Sequence, residues 1–264
     1  MGAIRRAYGA IEGRQRGLAR AGLGMLVVLA ACLLAMGLDG REIRGVSVWL
    51  KPAKFAASLA LWAWTLAWFW PALAPEARRG RAARIIVAGT IAFMVLEICW
   101  IALSAALGVP SHFARTPLGG AIYPLMGAVA VIGCALAAWF GVLVALRGNP
   151  ALPGAWRFAV ALGFLLGGVL GGLTGAAISG ADGPYVDGAA TDAGGIAPFF
   201  WSRAGGDLRV AHFIGVHAMQ AIPLAGWAAA ALPRPRAWIL AGAALWAGLT
   251  LAAFVQARAG LPFA

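Results

Sequence analysis

Two lysines and a glutamate lie inside runs of this sequence that are otherwise apolar. Lys51 and Lys54 are the only lysines of the chain, in "VSVWLKPAKFAASLALWAWTLAWFW", whereas the other nineteen of the 21 basic residues are arginines. Glu97 stands in the next apolar run. Because a charge within a membrane usually faces the bundle interior and finds a partner, we predict an ion pair between Lys54 and Glu97. Anchoring of a helix end by the lysines is the alternative.

A second polar group lies in "DLRVAHFIGVHAMQ", residues 207–220. On a helical wheel at 100° per residue, Arg209, His212, Gln220 and His217 fall on one face about 140° wide. So polar a face predicts that this helix looks onto a wet or ligand-filled cavity.

Histidine chemistry is the third element of the pattern. Histidine coordinates a transition metal or haem iron, and it transfers protons near neutral pH. His112, His212 and His217 are the only histidines and are predicted to lie on one side of the membrane, so they are our metal-ligand candidates. The spacing of five between His212 and His217 separates them on the wheel, and hydrogen-bonded or proton-relaying histidines are the alternative.

Composition requires a membrane around these residues. Hydrophobic residues make up 62% of the 264 residues and charged residues only 11%, which is more apolar surface than a soluble globule can bury. The net charge of +12 comes from arginines in short connectors, which is typical of cytoplasmic loops. We therefore predict the lipid bilayer, and no nucleic acid, as a partner.

Seven apolar runs are long enough to cross the hydrocarbon. They fall at 18–38, 47–73, 83–108, 119–146, 156–179, 208–231 and 237–256. The prediction is an all-α bundle of seven transmembrane helices over 18–256, in a bacterial inner membrane. Residues 1–17 form a cytoplasmic N-terminal segment, and the C-terminus is periplasmic because arginines are denser in the connectors on the N-terminal side.

Two further features concern packing. Gly163, Gly167, Gly171 and Gly175 recur every four residues, which favours close helix packing, with a slot for a planar ligand as the alternative. The long outer loop 180–207 carries aromatic residues at 199–201 and is predicted to fold back as a lid.

Three segments resemble motifs of a group of bacterial multipass membrane proteins without an assigned activity. They are "WLKPAKF", "SHFARTP" with Glu97 ahead of it, and "HFIGVHAMQ". The resemblance spans the second to the sixth run. It implies the same architecture and the same choice of site, and it supplies no chemistry.

These observations combine into one expectation. A periplasm-facing cavity within the membrane binds an anionic or redox-active ligand, such as a small anion or a lipid, with a transition metal or haem as the candidate cofactor. The predicted ligand-binding residues are Lys51, Lys54, Glu97, Arg209 and Gln220. The alternatives are a proton-coupled transporter of small solutes and a membrane scaffold for assembly of a redox complex.

Overall fold

The fold is a helical bundle with two short strand pairs. The computed structural model describes residues 2–113, 117–181 and 183–264, and 74% of the structure is helical. The helices are α1 (Gly2–Arg14), α2 (Arg16–Leu38), α3 (Leu50–Phe69), α4 (Pro75–Arg79), α5 (Arg81–Ala106), α6 (Pro117–Arg147), α7 (Gly154–Ser179), α8 (Leu208–Val216), α9 (Ala218–Ala229) and α10 (Pro235–Arg258). The antiparallel strand pairs are β1 (Glu42–Ile43) with β2 (Val46–Ser47), and β3 (Tyr185–Val186) with β4 (Gly206–Asp207). The prediction of an all-α protein is confirmed.

Helix starts follow local chemistry. The side chain of Gln15 accepts a hydrogen bond from the backbone N–H of Leu18 and caps α2. Asp207 caps α8 in the same way, through the N–H of Arg209. Pro235 begins α10, at the position where a missing N–H costs no hydrogen bond.

Five helices in the described part of the chain are long and apolar enough to cross a membrane, which indicates a membrane protein. They are α2, α5, α6, α7 and α10. Two predicted spans differ from this group. In α3 the two lysines and several tryptophans lower the hydropathy, and the run at 208–231 is divided into α8 and α9.

The break between α8 and α9 falls at His217, so the continuous sixth helix expected from the sequence is wrong. The indole Nε1 of Trp246 donates to the carbonyl of Ile214, an acceptor that a continuous helix would use internally. Pro223 removes a further backbone donor one turn into α9. The two pieces together replace one helix.

The glycine stripe of α7 packs against this interrupted pair. A Cβ on Gly163 would lie 2.6 Å from Pro223 Cδ, and one on Gly167 would lie 3.0 Å from the carbonyl oxygen of Val216. A Cβ on Gly171 would press on the Val216 side chain. At Gly163 and Gly167 the stripe therefore provides the close helix packing of the first interpretation, because the backbone of α8 and α9 occupies the adjacent space. Gly171 and Gly175 line the cavity described below.

At one end of the bundle, which we call the packed end, the side chains form a single buried core. Leu66, Phe69, Trp70, Phe140 and Phe164 are buried there in one core. The Trp70 and Phe140 rings stack with centroids 5.7 Å apart, and Phe164 meets Phe140 edge to face at 4.7 Å. Such aromatic packing contributes beyond the area that it buries.

Candidate ligand-binding cavity

The opposite end of the bundle, which we call the cavity end, encloses a cavity of about 430 Å³. Its walls come from α3, α5, α6, α7, α8 and α9, and from the described part of loop 180–207. This volume lies in the range of small-molecule sites. Every residue that the sequence singled out lines it, namely Lys51, Lys54, Glu97, His112, Arg209, His212, His217 and Gln220.

Lys51 is held by a histidine from the connector after α5. Its Nζ lies 3.0 Å from His112 Nδ1, and Ser111 Oγ lies 3.1 Å from the same nitrogen. Because an ammonium only donates, Nδ1 is the acceptor and the ring proton belongs on Nε2. Burial lowers the pKa of His112 to about 3, with the charge of Lys51 as a second cause, so the ring is neutral at pH 7.

Lys54 does not pair with Glu97, so that prediction is wrong. Its Nζ donates instead to the backbone carbonyl of Phe199, at 2.9 Å. None of the ion pairs among the described residues contains a lysine. The physical reason is that the loop brings a carbonyl oxygen directly over α3, which satisfies a donor of Lys54 without neutralising its charge.

Two acceptor oxygens in the wall have no donor within the described structure. Glu97 is 1% exposed, and its Oε1 has no hydrogen-bond partner there. Gln220 donates from Nε2 to Thr65 Oγ1 at 3.0 Å, but its Oε1 is likewise without a partner. Buried polar atoms are normally satisfied, so both oxygens mark places for a ligand or a water molecule.

Arg209 has a structural position rather than a free charge. Its guanidinium forms ion pairs of 2.6 Å with Asp192 and with Asp207, and it donates to the carbonyl of Phe200 at 3.1 Å. Two carboxylates therefore compensate its charge. Arg209 lines the cavity, and its bonds fasten the loop to the start of α8.

The metal centre predicted from the three histidines is not supported. Over residues 2–113, 117–181 and 183–264, no three histidine, cysteine, aspartate or glutamate side chains are placed to share a metal ion. His212 Nδ1 lies 3.1 Å from the carbonyl of Gly171, and His217 Nδ1 lies 2.6 Å from that of Phe213. His112 is hydrogen-bonded to Lys51, so each of the three histidines has a different hydrogen-bond partner.

The described part of loop 180–207 covers the cavity, as a lid would. Phe199 and Trp201 stack at 4.8 Å, and both rings pack on Phe213 of α8. The backbone of Asp192 donates to the carbonyl of Arg44, which joins the loop to the β1–β2 hairpin. Asp182 of this loop and residues 114–116 of the "SHFARTP" motif lie outside the described residues.

No protein-family model, curated protein or solved structure matches this chain. The functional argument therefore rests on the cavity itself.

Sequence reasoning missed the groups that orient the two lysines. The carbonyl of Phe199 is a backbone atom, so no residue type in the loop reveals it. Ser111 could have been found, because it precedes His112 directly and its hydroxyl suits the same nitrogen. The remaining wall is largely apolar and includes Phe55, Trp62 and Phe93. The arrangement can hold a molecule that has an anionic end and an apolar body.

Proposed function

We propose that this protein is a multi-pass membrane protein that binds an amphiphilic anion in the cavity, with Lys51 and Lys54 as the groups that recognise the charge. One observation carries the proposal. Both lysines line a largely apolar cavity, and neither forms an ion pair with a carboxylate in the described structure.

Electrostatics favour an anion there. An ammonium group taken out of water loses several kcal/mol of solvation, and neutral acceptors restore only part of this. The acceptor of Lys51 is a neutral imidazole, and that of Lys54 is an amide carbonyl. An anionic group between the two ammonium groups would supply the missing compensation.

The wall of the cavity favours an apolar body on the same molecule. Leu61 of α3 and Val131 of α6 line the cavity and are 46% and 44% exposed. Both belong to the middle of helices that we place across the bilayer. A ligand with an acyl chain or a ring system would pack against these apolar side chains within the cavity.

We extend the proposal to topology. With α8 and α9 counted as one interrupted crossing, α2, α3, α5, α6, α7, α8–α9 and α10 make seven crossings. The density of arginines in alternate connectors supports a cytoplasmic N-terminus in a bacterial inner membrane. The cavity end then faces the periplasm.

Transport of the same anion is the second candidate. The interruption of a helix at His217, beside the cavity, supports it, because broken helices form the substrate sites of many transporters. The aromatic core of the packed end opposes it, since Phe69, Trp70 and Phe140 fill the path below the cavity. Uptake of a radiolabelled anion into proteoliposomes that depends on both lysines would favour transport over binding alone.

Ligand binding by lysine variants tests the proposal. We expect wild-type protein in mild detergent to bind lysophosphatidylglycerol, an anion with one acyl chain, as measured by quenching of tryptophan fluorescence. The double variant Lys51→Met/Lys54→Met should lose affinity by tenfold or more, about 1.4 kcal/mol. Arg258→Met removes an exposed charge outside the cavity and should bind as the wild type does. Equal binding by the double variant would refute the proposal.

A further inference from the structure

Glu97 is the feature of the cavity that the binding of a simple anion leaves unexplained. It is 1% exposed, it lines the cavity from α5, and its Oε1 has no hydrogen-bond partner in the described structure. A buried carboxyl oxygen without a donor destabilises the protein, because it has lost its hydrogen bonds to water and gained none in return. The observation points to a ligand that carries a hydrogen-bond donor.

The charges of the cavity are arranged as a dipole. Lys51 and Lys54 project from α3, whereas Glu97 projects from the neighbouring helix α5 and interacts electrostatically with Lys51. Asp192, the other carboxylate in the described cavity wall, forms an ion pair with Arg209. Among the described residues of the cavity wall, the charged side chains without an ion-pair partner are therefore Lys51, Lys54 and Arg44, and the one unpaired carboxyl group is that of Glu97.

One class of ligand satisfies all of these groups at once. A simple anion would meet repulsion from an ionised Glu97 and, unless it carried a hydroxyl group, would leave Oε1 without a donor. A simple cation would meet repulsion from the two lysines. A molecule with an anionic group and an ammonium group a few atoms apart matches both walls, because the ammonium supplies N–H donors and a compensating charge.

We propose, on the basis of the anion site above, that the ligand is a zwitterion whose phosphate or carboxylate contacts Lys51 and Lys54 and whose ammonium donates to Glu97. Gln220 Oε1 is a second acceptor for the ammonium or for a hydroxyl group. Two sources share this chemistry. One is an aminoethyl phosphate headgroup on a lipid, and the other is a free zwitterion such as phosphoethanolamine.

The variant Glu97→Gln gives a test with opposite signs for two probes. Wild-type protein should bind lysophosphatidylethanolamine about tenfold more tightly than lysophosphatidylglycerol, which has the phosphate but no ammonium. In Glu97→Gln the affinity for the ethanolamine lipid should fall about tenfold, and the affinity for the glycerol lipid should rise. Glutamine keeps the size of the side chain, so both measurements use a protein of the same shape. Glu42→Gln, an exposed change outside the cavity wall, should alter neither affinity.

Further probes separate the sources and the possible failures. Lysophosphatidylcholine, whose nitrogen has no N–H, should bind more weakly than the ethanolamine lipid. If free phosphoethanolamine binds as tightly as the lipid, the zwitterion is supported and its source is soluble. If the double lysine variant binds both lipids more weakly but Glu97→Gln binds both with wild-type affinity, the zwitterion inference is overturned and the anion site is retained. If the double lysine variant also binds as the wild type does, both proposals fall.

Discussion

The two ends of α3 lie in different surroundings. Its C-terminal half buries Leu66 and Phe69 in the packed end, against the aromatic rings of α6 and α7. Its N-terminal half presents Lys51 and Lys54 to a cavity, which Leu61, just past the midpoint of the helix, also lines. One helix thus belongs to a filled core and to an open site, and the difference lies in the polar groups that it carries.

Polar contacts cross the cavity and connect its walls. Lys54 bonds to the loop carbonyl of Phe199, and Gln220 bonds to Thr65 at the floor. Such hydrogen bonds fix the positions of the elements that they join. The comparison predicts that the packed end provides stability and that the cavity end provides binding.

The largest expected effect is at the packed end. Phe140→Ala removes a fully buried ring and should lower the free energy of unfolding by about 3–5 kcal/mol. The matched change at the cavity, Leu61→Ala, should cost less than about 1 kcal/mol, because that side chain is nearly half exposed. Unfolding in mixed micelles with increasing denaturing detergent measures both. Equal losses would remove the distinction between the two ends.

The next effect concerns the loop. Arg209→Met leaves the buried carboxylate of Asp207 without its cation and should cost about 3 kcal/mol. It should also increase cleavage of the loop by added protease. Arg203→Met changes an exposed arginine of the same loop and should do neither. Normal protease resistance in the Arg209 variant would show that these ion pairs do not fasten the loop.

A smaller effect tests the packing of α7. Gly163→Ala places a Cβ 2.6 Å from Pro223 Cδ and 2.9 Å from the carbonyl oxygen of Ala218, so the helices must separate at a cost of about 1–3 kcal/mol. Gly172→Ala is the control, since its Cβ would lie 3.8 Å from that of Cys134, an ordinary contact. The thermal midpoint of unfolding distinguishes the two, and equal midpoints would contradict the packing.

The smallest effect is a pH dependence from His112. Its pKa is about 3 in the folded protein and 6.5 in an unfolded chain, so the unfolded state binds more protons between these values. Stability therefore falls as the pH falls below about 6.5, by at most about 1.4 kcal/mol per pH unit. His112→Gln keeps an acceptor for Lys51 and should show a shallower loss between pH 7 and pH 5. Identical slopes would mean that His112 titrates normally.

Much of the helical architecture could be predicted from the sequence. The run predicted at 83–108 is α5, Arg81–Ala106, and the run at 156–179 is α7, Gly154–Ser179. Apolar length determines such helices locally. The break at His217 could not be predicted in this way, because it depends on Trp246 of α10, which takes the carbonyl of Ile214.

The location of the candidate site could be predicted from the sequence, but the hydrogen-bond and ion-pair partners of its residues could not. Depth along each helix places the lysines, Glu97 and the histidines near one end, which periodicity can indicate. The partners come from backbone that folds over that end, such as the carbonyl of Phe199 for Lys54. Asp192 in the loop likewise forms an ion pair with Arg209, and the sequence alone does not indicate which carboxylate pairs with that arginine.

Native mass spectrometry of freshly extracted protein tests the central claim most directly. If Lys51 and Lys54 bind an amphiphilic anion, the wild-type protein should carry an adduct that dissociates on activation as an anion with an apolar chain or ring system. The double variant Lys51→Met/Lys54→Met should be folded and should lack that adduct. An adduct of equal mass and abundance on both proteins would contradict the account.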